Sequence, residues 1–392
     1  LSSALTSKSF CFFFQKEALP SMPRHPKNGL PPMAQARIKL LVVDDSALMR
    51  KHLRQIFEAE GDFDMAFARN GREALEQAAQ FCPDVVTLDV NMPEMDGLTC
   101  LQQLTAMGSD ARVVMLSSLT ERGAEATLRA LELGAVDFIP KPDGTVSLSI
   151  DRISAQLVGK MRTAARIAPR RAFGLRNRVR AQRNEVERRA AAGTAQRVAG
   201  RAGVSGLVLI GVSTGGPRTL EDIVPHLPRE FPWPIVIAQH MPASFTGVFA
   251  RRMDSVSALD VVEVNATVPL EPGVVYIGRG DADVVVERKL GRLVAMSVAS
   301  DNSLWHPSTD RLVSSALEVM PAASTVGVLL TGMGNDGASA MANLRKRGGR
   351  TIAEAEATAV VFGMPAELIK LGGADLVLPS DAVSRQLVAW AK

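Results

Sequence analysis

Five short apolar runs alternate with helix-periodic stretches between residues 38 and 139, and this rhythm constrains the fold more than any other feature of the chain. The runs are residues 39–43, 63–68, 84–88, 112–116 and 136–139. Between the first two, Met49, Leu53, Ile56 and Phe57 recur at helical spacing. Helical patterns over 74–80, 98–107 and 124–133 fill the later gaps. Parallel strands need a crossover between them, and a helix is the usual one. Regular alternation of this kind predicts a doubly wound parallel sheet with helices on both faces. Leu40-Leu41-Val42-Val43 is continuously apolar, as a strand covered on both faces must be. A second series starts at Leu207, with runs at 207–212, 235–238, 274–277, 284–286, 326–330 and 376–378. Leu220, Ile223, Val224 and Leu227 have helical spacing after its first strand. The expectation is an α/β protein of two doubly wound parallel-sheet domains, over residues 37–150 and 205–392, with no repeat between the halves.

The segments outside these domains read differently. Residues 1–36 hold a short apolar stretch, Phe10-Cys11-Phe12-Phe13-Phe14, and then Pro20, Pro23, Pro26, Pro31 and Pro32. That stretch is too short for a signal-peptide core. The expectation here is an over-extended start with Met33 as the first residue, or else a disordered arm. Residues 151–204 are expected to form a basic linker, although Ile150, Ile153, Leu157 and Met161 are spaced for a closing helix of the first domain. The net charge is +4, and the stretch 151–201 carries fourteen Lys and Arg against three Asp and Glu. A solvated linker is the plainer reading of that charge; binding to nucleic acid is the alternative. Cys11, Cys82 and Cys100 are odd in number and scattered, which argues for reduced thiols rather than disulfides or zinc. No apolar run reaches the ~20 residues of a membrane span.

In an open parallel sheet, functional groups gather beyond the strand C-termini. Asp44 and Asp45 follow the first strand, Asp89 ends the third, and Lys141 follows the fifth. Three carboxylates so placed repel one another unless a hard cation joins them. Mg²⁺ fits, taking oxygen ligands and keeping waters for a phosphate. A carboxylate there can accept a phosphoryl group. Asp44-Asp45, Asp89 with Met92-Pro93-Glu94-Met95-Asp96-Gly97, Ser117 and Lys141-Pro142, in this order, resemble the receiver domain of two-component response regulators. The resemblance implies a flavodoxin-like fold with Asp89 as phosphoacceptor. It implies Mg²⁺ on Asp44, Asp45, Asp89 and the Asn91 carbonyl. It also implies a switch made of Ser117, Phe138 and Lys141.

In the second half, Gly211-Val212-Ser213-Thr214-Gly215-Gly216-Pro217 joins a strand to a helix. Taken alone, this is either a nucleophile elbow exposing Ser213 or a phosphate-cradling loop. His240 and Asp336 follow two other strands of the same domain, and three strand ends can bring them to Ser213. His240 would take the serine proton and Asp336 would orient the imidazole. Backbone N–H groups of residues 332–334 would form an oxyanion hole, worth about 3–4 kcal/mol per donor. His306 is a weaker candidate base, and His226 reads as structural.

With Gln239-His240-Met241-Pro242, Thr331-Gly332-Met333-Gly334-Asn335-Asp336-Gly337 and Val361-Phe362-Gly363-Met364-Pro365, residues 37–392 resemble the chemotaxis protein-glutamate methylesterase (CheB) family. The resemblance makes the C-terminal half a methylesterase domain and implies a phosphorylation-activated esterase of methylated chemotaxis receptors, with glutamine deamidation as a second activity. It implies Ser213, His240 and Asp336 as catalytic residues, with Thr214 and Met333 beside the reacting carbonyl. It further implies a chemotaxis histidine kinase as phosphodonor, methyl-accepting receptors as substrate, a cytoplasmic setting, and no cofactor for ester hydrolysis. Neither nucleic-acid binding nor membrane insertion is expected. The sequence departs from the family pattern at three places. Gly278-Arg279-Gly280-Asp281-Ala282-Asp283 replaces an Ala-Pro-Gly-x-x-His stretch, His306-Pro307-Ser308 replaces Arg-Pro-Ser, and Glu354-Ala355 replaces Gln-Asp.

Two other classes of function compete. A transcription factor is supported only by the basic linker; six strand patterns after it do not make a helix-turn-helix module. A catalytically dead docking module is disfavoured because Ser213, His240 and Asp336 are all present.

Overall fold

In the computed structural model the described residues are 37–141, 146–167, 204–301 and 304–391. The expected N-terminal extension, including Met33, lies outside them, as do Pro142 and the linker residues 168–203.

The first unit alternates as the apolar rhythm requires. It runs β1 (Ile38–Val43), α1 (Ala47–Glu60), β2 (Phe63–Ala68), α2 (Gly71–Phe81), β3 (Val85–Asp89), α3 (Gly97–Ala106), β4 (Arg112–Ser117), α4 (Glu121–Leu133), β5 (Asp137–Pro140) and α5 (Val146–Arg166). All its strand pairs are parallel, in the order β2-β1-β3-β4-β5. Leu41, Val43, Val86 and Leu88 fill the core on one face; Leu40, Val42, Val85 and Val114 fill the other. The helices start where side-chain caps are available: Ser46, Asn70, Asp96 and Thr120 each accept an N–H from the first turn. Leu157, Val158, Met161 and Ala164 of α5 belong to this core. The boundary expected at 150 therefore falls inside a helix that packs on the first sheet.

The second unit adds β6 (Leu207–Val212), α6 (Gly216–Ile223), β7 (Ile235–Gln239), α7 (Ala243–Val256), β8 (Asp260–Val264), β9 (Val268–Pro269), β10 (Val274–Gly278), β11 (Ala282–Lys289), β12 (Arg292–Ala299), α8 (Thr309–Val319), β13 (Thr325–Leu329), α9 (Ala338–Lys346), β14 (Arg350–Glu354), α10 (Met364–Lys370), β15 (Leu376–Leu378) and α11 (Ser380–Trp390). Seven strands form a parallel sheet ordered β15-β14-β13-β6-β7-β10-β8. The run at 284–286 does not join it. It lies in β11, which pairs antiparallel with β12 in a separate sheet ordered β11-β12-β9. The cause is a two-residue hairpin turn, Leu290-Gly291, both at positive φ (48° and 78°). Such a turn matches the twist of antiparallel strands.

In both parallel sheets the chain reverses winding direction beside the first strand. The crevice opens between β1 and β3 in one and between β6 and β13 in the other. Those are the places where open α/β sheets carry ligands.

Candidate active site

At the first crevice, Asp44, Asp45 and Asp89 offer oxygens all within 4.8 Å of one another. Asp44 and Asp89 are buried and Asp45 is exposed. Lys141 Nζ lies 2.8 Å from Asp44 Oδ2 and 2.7 Å from Asp89 Oδ2. Burial pushes the Asp89 carboxyl up to about 6; Lys141 pulls it down, and Asp44 adds to the rise. Burial tends to lower the Lys141 pKa, but the two carboxylates outweigh it and hold the ammonium above its ordinary range. Like charges gathered in a buried oxygen-rich site fit a hard divalent cation. Ser117 faces elsewhere: its buried hydroxyl donates to the Gly123 carbonyl at 3.1 Å. Phe138 is buried and stacks on Phe245 of α7, centroids 4.4 Å apart.

A consequence for stability follows from Asp89. Unfolded, an aspartate titrates near 4; folded, Asp89 titrates near 6. Between those values the folded state holds the extra proton, so stability falls as pH rises through pH 4–6, by roughly 3 kcal/mol in all. Asp89→Asn removes this cost. The Tm gain of Asp89→Asn over the parent in chelator should be larger at pH 7.5 than at pH 4.5. A pH-independent difference would show that Asp89 ionises without penalty.

At the second crevice, register does the positioning. Val212 pairs with Gln239 across β6 and β7, so the next residues, Ser213 and His240, emerge side by side. Neighbouring strands lie about 4.8 Å apart. Ser213 N donates to the Thr331 carbonyl at 2.9 Å, joining this edge to the loop after β13. Gly215 has φ +80°, and a Cβ there would meet Val360 at 2.5 Å; a side chain is excluded on both counts. A Cβ on Gly332 would come within 2.7 Å of Ser213 Cβ, so glycine lets the 331–336 loop close on the serine.

His240 Nε2 lies 2.8 Å from Asp336 Oδ2, with both side chains buried. His240 Nδ1 is buried with no partner among the described residues. An imidazole donating through Nε2 to a carboxylate leaves Nδ1 as its basic nitrogen. The Trp305 ring stacks parallel on His240, centroids 5.5 Å apart and planes 10° apart. Asp336 also accepts from Ser308 Oγ (3.1 Å), Thr309 N (2.7 Å) and Asp310 N (3.0 Å). Burial alone would raise the Asp336 carboxyl. His240 and the Asp310 and Thr309 N–H groups outweigh burial and hold it below the ordinary range. The start of α8 as an anchor for Asp336 was not expected from sequence; Ser308-Thr309, a capping pair before an amphipathic run, is the signal that marks it.

Of the three expected oxyanion donors, Gly332 N is taken by the Val361 carbonyl at 3.0 Å. Met333 N and Gly334 N donate to no acceptor among the described residues. Among those residues no hydrogen bond joins Ser213 Oγ to His240. His306 is not beside Ser213 in the hydrogen-bond network; its Nδ1 bonds Asp283 Oδ1 at 2.9 Å.

The first unit reaches this site. Thr214 Oγ1 donates to Asp137 Oδ2 of β5 at 2.7 Å, and Lys160 Nζ of α5 lies 2.8 Å from the same oxygen. Thr163 Oγ1 of α5 donates to Met333 Sδ at 3.2 Å. Arg252 pairs with Glu132 and Glu221, and Arg251 with Glu121.

Fold and sites together define a response regulator whose output is a hydrolase-like α/β domain. A response regulator receiver domain model matches residues 40–149, and a CheB methylesterase model matches residues 208–387. A Rhodospirillum rubrum protein named protein-glutamate methylesterase/protein-glutamine glutaminase 3 is 55% identical over 355 residues, covering 90% of this chain and 96% of its own. A Rhodopseudomonas palustris protein named protein-glutamate methylesterase/protein-glutamine glutaminase 2 is 52% identical, covering 90% and 98%. The chain belongs to the protein-glutamate methylesterase/protein-glutamine glutaminase (CheB) family.

Proposed function

We propose that Ser213, His240 and Asp336 hydrolyse γ-glutamyl methyl esters, and deamidate glutamines, on methyl-accepting chemotaxis receptors. Phosphorylation of Asp89 by a chemotaxis histidine kinase would switch this activity on. The observation that carries the reading is the buried His240–Asp336 pair beside the strand end that bears Ser213.

His240 Nδ1 takes the Ser213 proton as Oγ attacks the ester carbonyl; Nε2–H stays on Asp336. The tetrahedral oxyanion is held by the N–H groups of Met333 and Gly334. His240 returns the proton to the departing methoxide, releasing methanol. Water, deprotonated by the same nitrogen, then frees the glutamate carboxylate. No metal enters these steps. In the receiver, Asp44, Asp45, Asp89 and the Asn91 carbonyl would hold Mg²⁺, which offsets the charge of an incoming phosphoryl group. Asp89 is the acceptor, Lys141 pairs with the phosphate, and Ser117 and Phe138 transmit the change. We take the receiver to extend through α5 to Arg166, and the linker to begin there. No helix among the described residues is long and apolar enough to cross a membrane. We place the activity in the cytoplasm, where a kinase and receptor tails are both accessible.

The Asp137 contact supports inhibition by the unphosphorylated receiver. Its carboxylate, neighbour to Phe138, grips the hydroxyl next to the nucleophile. Hydrogen bonds to charged groups contribute about 1.5–3 kcal/mol, and a tenfold change in the open population needs only ~1.4 kcal/mol. Asp137→Ala should raise methanol release by the unphosphorylated chain about tenfold, toward the rate of a fragment starting at Gly203. If the fragment is folded yet no faster than the full chain, the receiver does not block the site, and recruitment to receptors becomes the better account.

A further inference from the structure

Two of the three departures from the family pattern meet in space. Asp283, where the pattern has His, is fully buried at the start of β11. His306, where the pattern has Arg, puts Nδ1 2.9 Å from Asp283 Oδ1. The same oxygen accepts the Ser308 N–H at 2.7 Å. The other carboxylate oxygen takes Arg311 Nη1 at 2.7 Å. One buried carboxylate thus fixes three points of the segment 306–311. That segment supplies every partner of Asp336 other than His240 that is named above: Ser308 Oγ, Thr309 N and Asp310 N. Its neighbour Trp305 stacks on the His240 ring.

We infer that Asp283 is a positioning residue for catalysis, acting through His306 and Ser308 to aim Asp336 and His240 at Ser213. It touches neither substrate nor reacting atoms. A carboxylate is needed because the three groups it holds are all donors, two of them side chains that carry positive charge when protonated. Arg311 places a positive charge on one oxygen of Asp283 while His306 and the Ser308 N–H occupy the other, so both oxygens are engaged by the loop.

The inference rests on the Ser213–His240–Asp336 reading, and the test separates the two. Methanol release is measured on methylated receptor membranes with the full chain, phosphodonor present, for Asp283→Asn, Ser308→Ala and the double variant, with Ser213→Ala alongside. Asp283→Asn keeps the shape but points an amide N–H at donors. Its kcat should fall about 10- to 100-fold with KM within about twofold. Ser308→Ala, a one-atom change less exposed to misfolding, should lose about tenfold in kcat. Because both act on Asp336 by one route, the double variant should be no slower than Asp283→Asn alone. A merely structural role would instead give losses that multiply, or a melting-temperature drop with kcat intact. Full kcat in folded Asp283→Asn, full kcat in Ser308→Ala, or multiplying losses overturns the inference while Ser213→Ala remains dead. Activity retained in Ser213→Ala overturns the catalytic reading itself, and this inference with it.

Discussion

Ser213→Ala should reduce methanol release about a millionfold in kcat while the protein unfolds at the parent temperature. Loss of a serine nucleophile of this type costs about that much in kcat. The fold has little reason to notice. Ser213 contributes its backbone to the sheet edge, through its N–H to Thr331 and its carbonyl to Gln239 and Gly216, and alanine keeps all three bonds. Gly332 packs against Ser213 Cβ, which alanine also keeps. Folded protein with near-parental activity would move the nucleophile elsewhere.

Asp336→Asn should cost about 10⁴ in kcat. The carboxylate accepts four hydrogen bonds, from His240, Ser308, Thr309 and Asp310. An amide of the same shape can accept on one side only. Placed toward His240, its NH₂ would turn the imidazole to the tautomer that carries its proton on Nδ1, the nitrogen that receives the serine proton in the mechanism proposed above. Placed toward α8, it faces N–H groups. Since these donors keep Asp336 ionised below the ordinary carboxylate range, its loss is not mimicked by mild acid in the parent. A decrease of less than tenfold, in folded protein, would mean that His240 acts without an orienting partner.

The strands that sequence reading found best are those buried on both faces, such as Leu40–Val43 and β6, where apolar runs end abruptly in Asp or Ser. The strands it missed carry polar residues. Asp260–Val264 has exposed Asp260 and Val262 against buried Val261 and Val264, an alternation too short to stand out. Arg350–Glu354 ends in a fully buried acid, a composition that reads as surface. Glu354 is there because its Oε2 accepts the Thr331 N–H at 2.8 Å, holding the loop that closes on Ser213. The run at 284–286 reads as one more strand of the main sheet because a buried apolar run looks the same in either sheet; the turn at Leu290, with φ of 48°, pairs it with β12 instead. Asp44, Asp45 and Asp89 stand at strand ends, Ser213 and His240 directly follow β6 and β7, and Asp336 lies in the glycine-rich loop between β13 and α9, so all were candidates from sequence. Asp283 and Asp137 were not, because their roles come from partners 23 to 77 residues away in sequence. The oxyanion expectation at Gly332 failed for a similar reason: its N–H is spent on Val361, from a loop 29 residues further along the chain.

Control of hydrolysis by the receiver is tested most directly by methanol release from methylated receptor membranes with the full chain and with Asp89→Asn, each with and without a small-molecule phosphodonor and Mg²⁺. The account predicts that the phosphodonor raises the parent rate about tenfold and leaves Asp89→Asn at its basal rate. Equal rates for the parent with and without phosphodonor, or equal activation of Asp89→Asn, would contradict it.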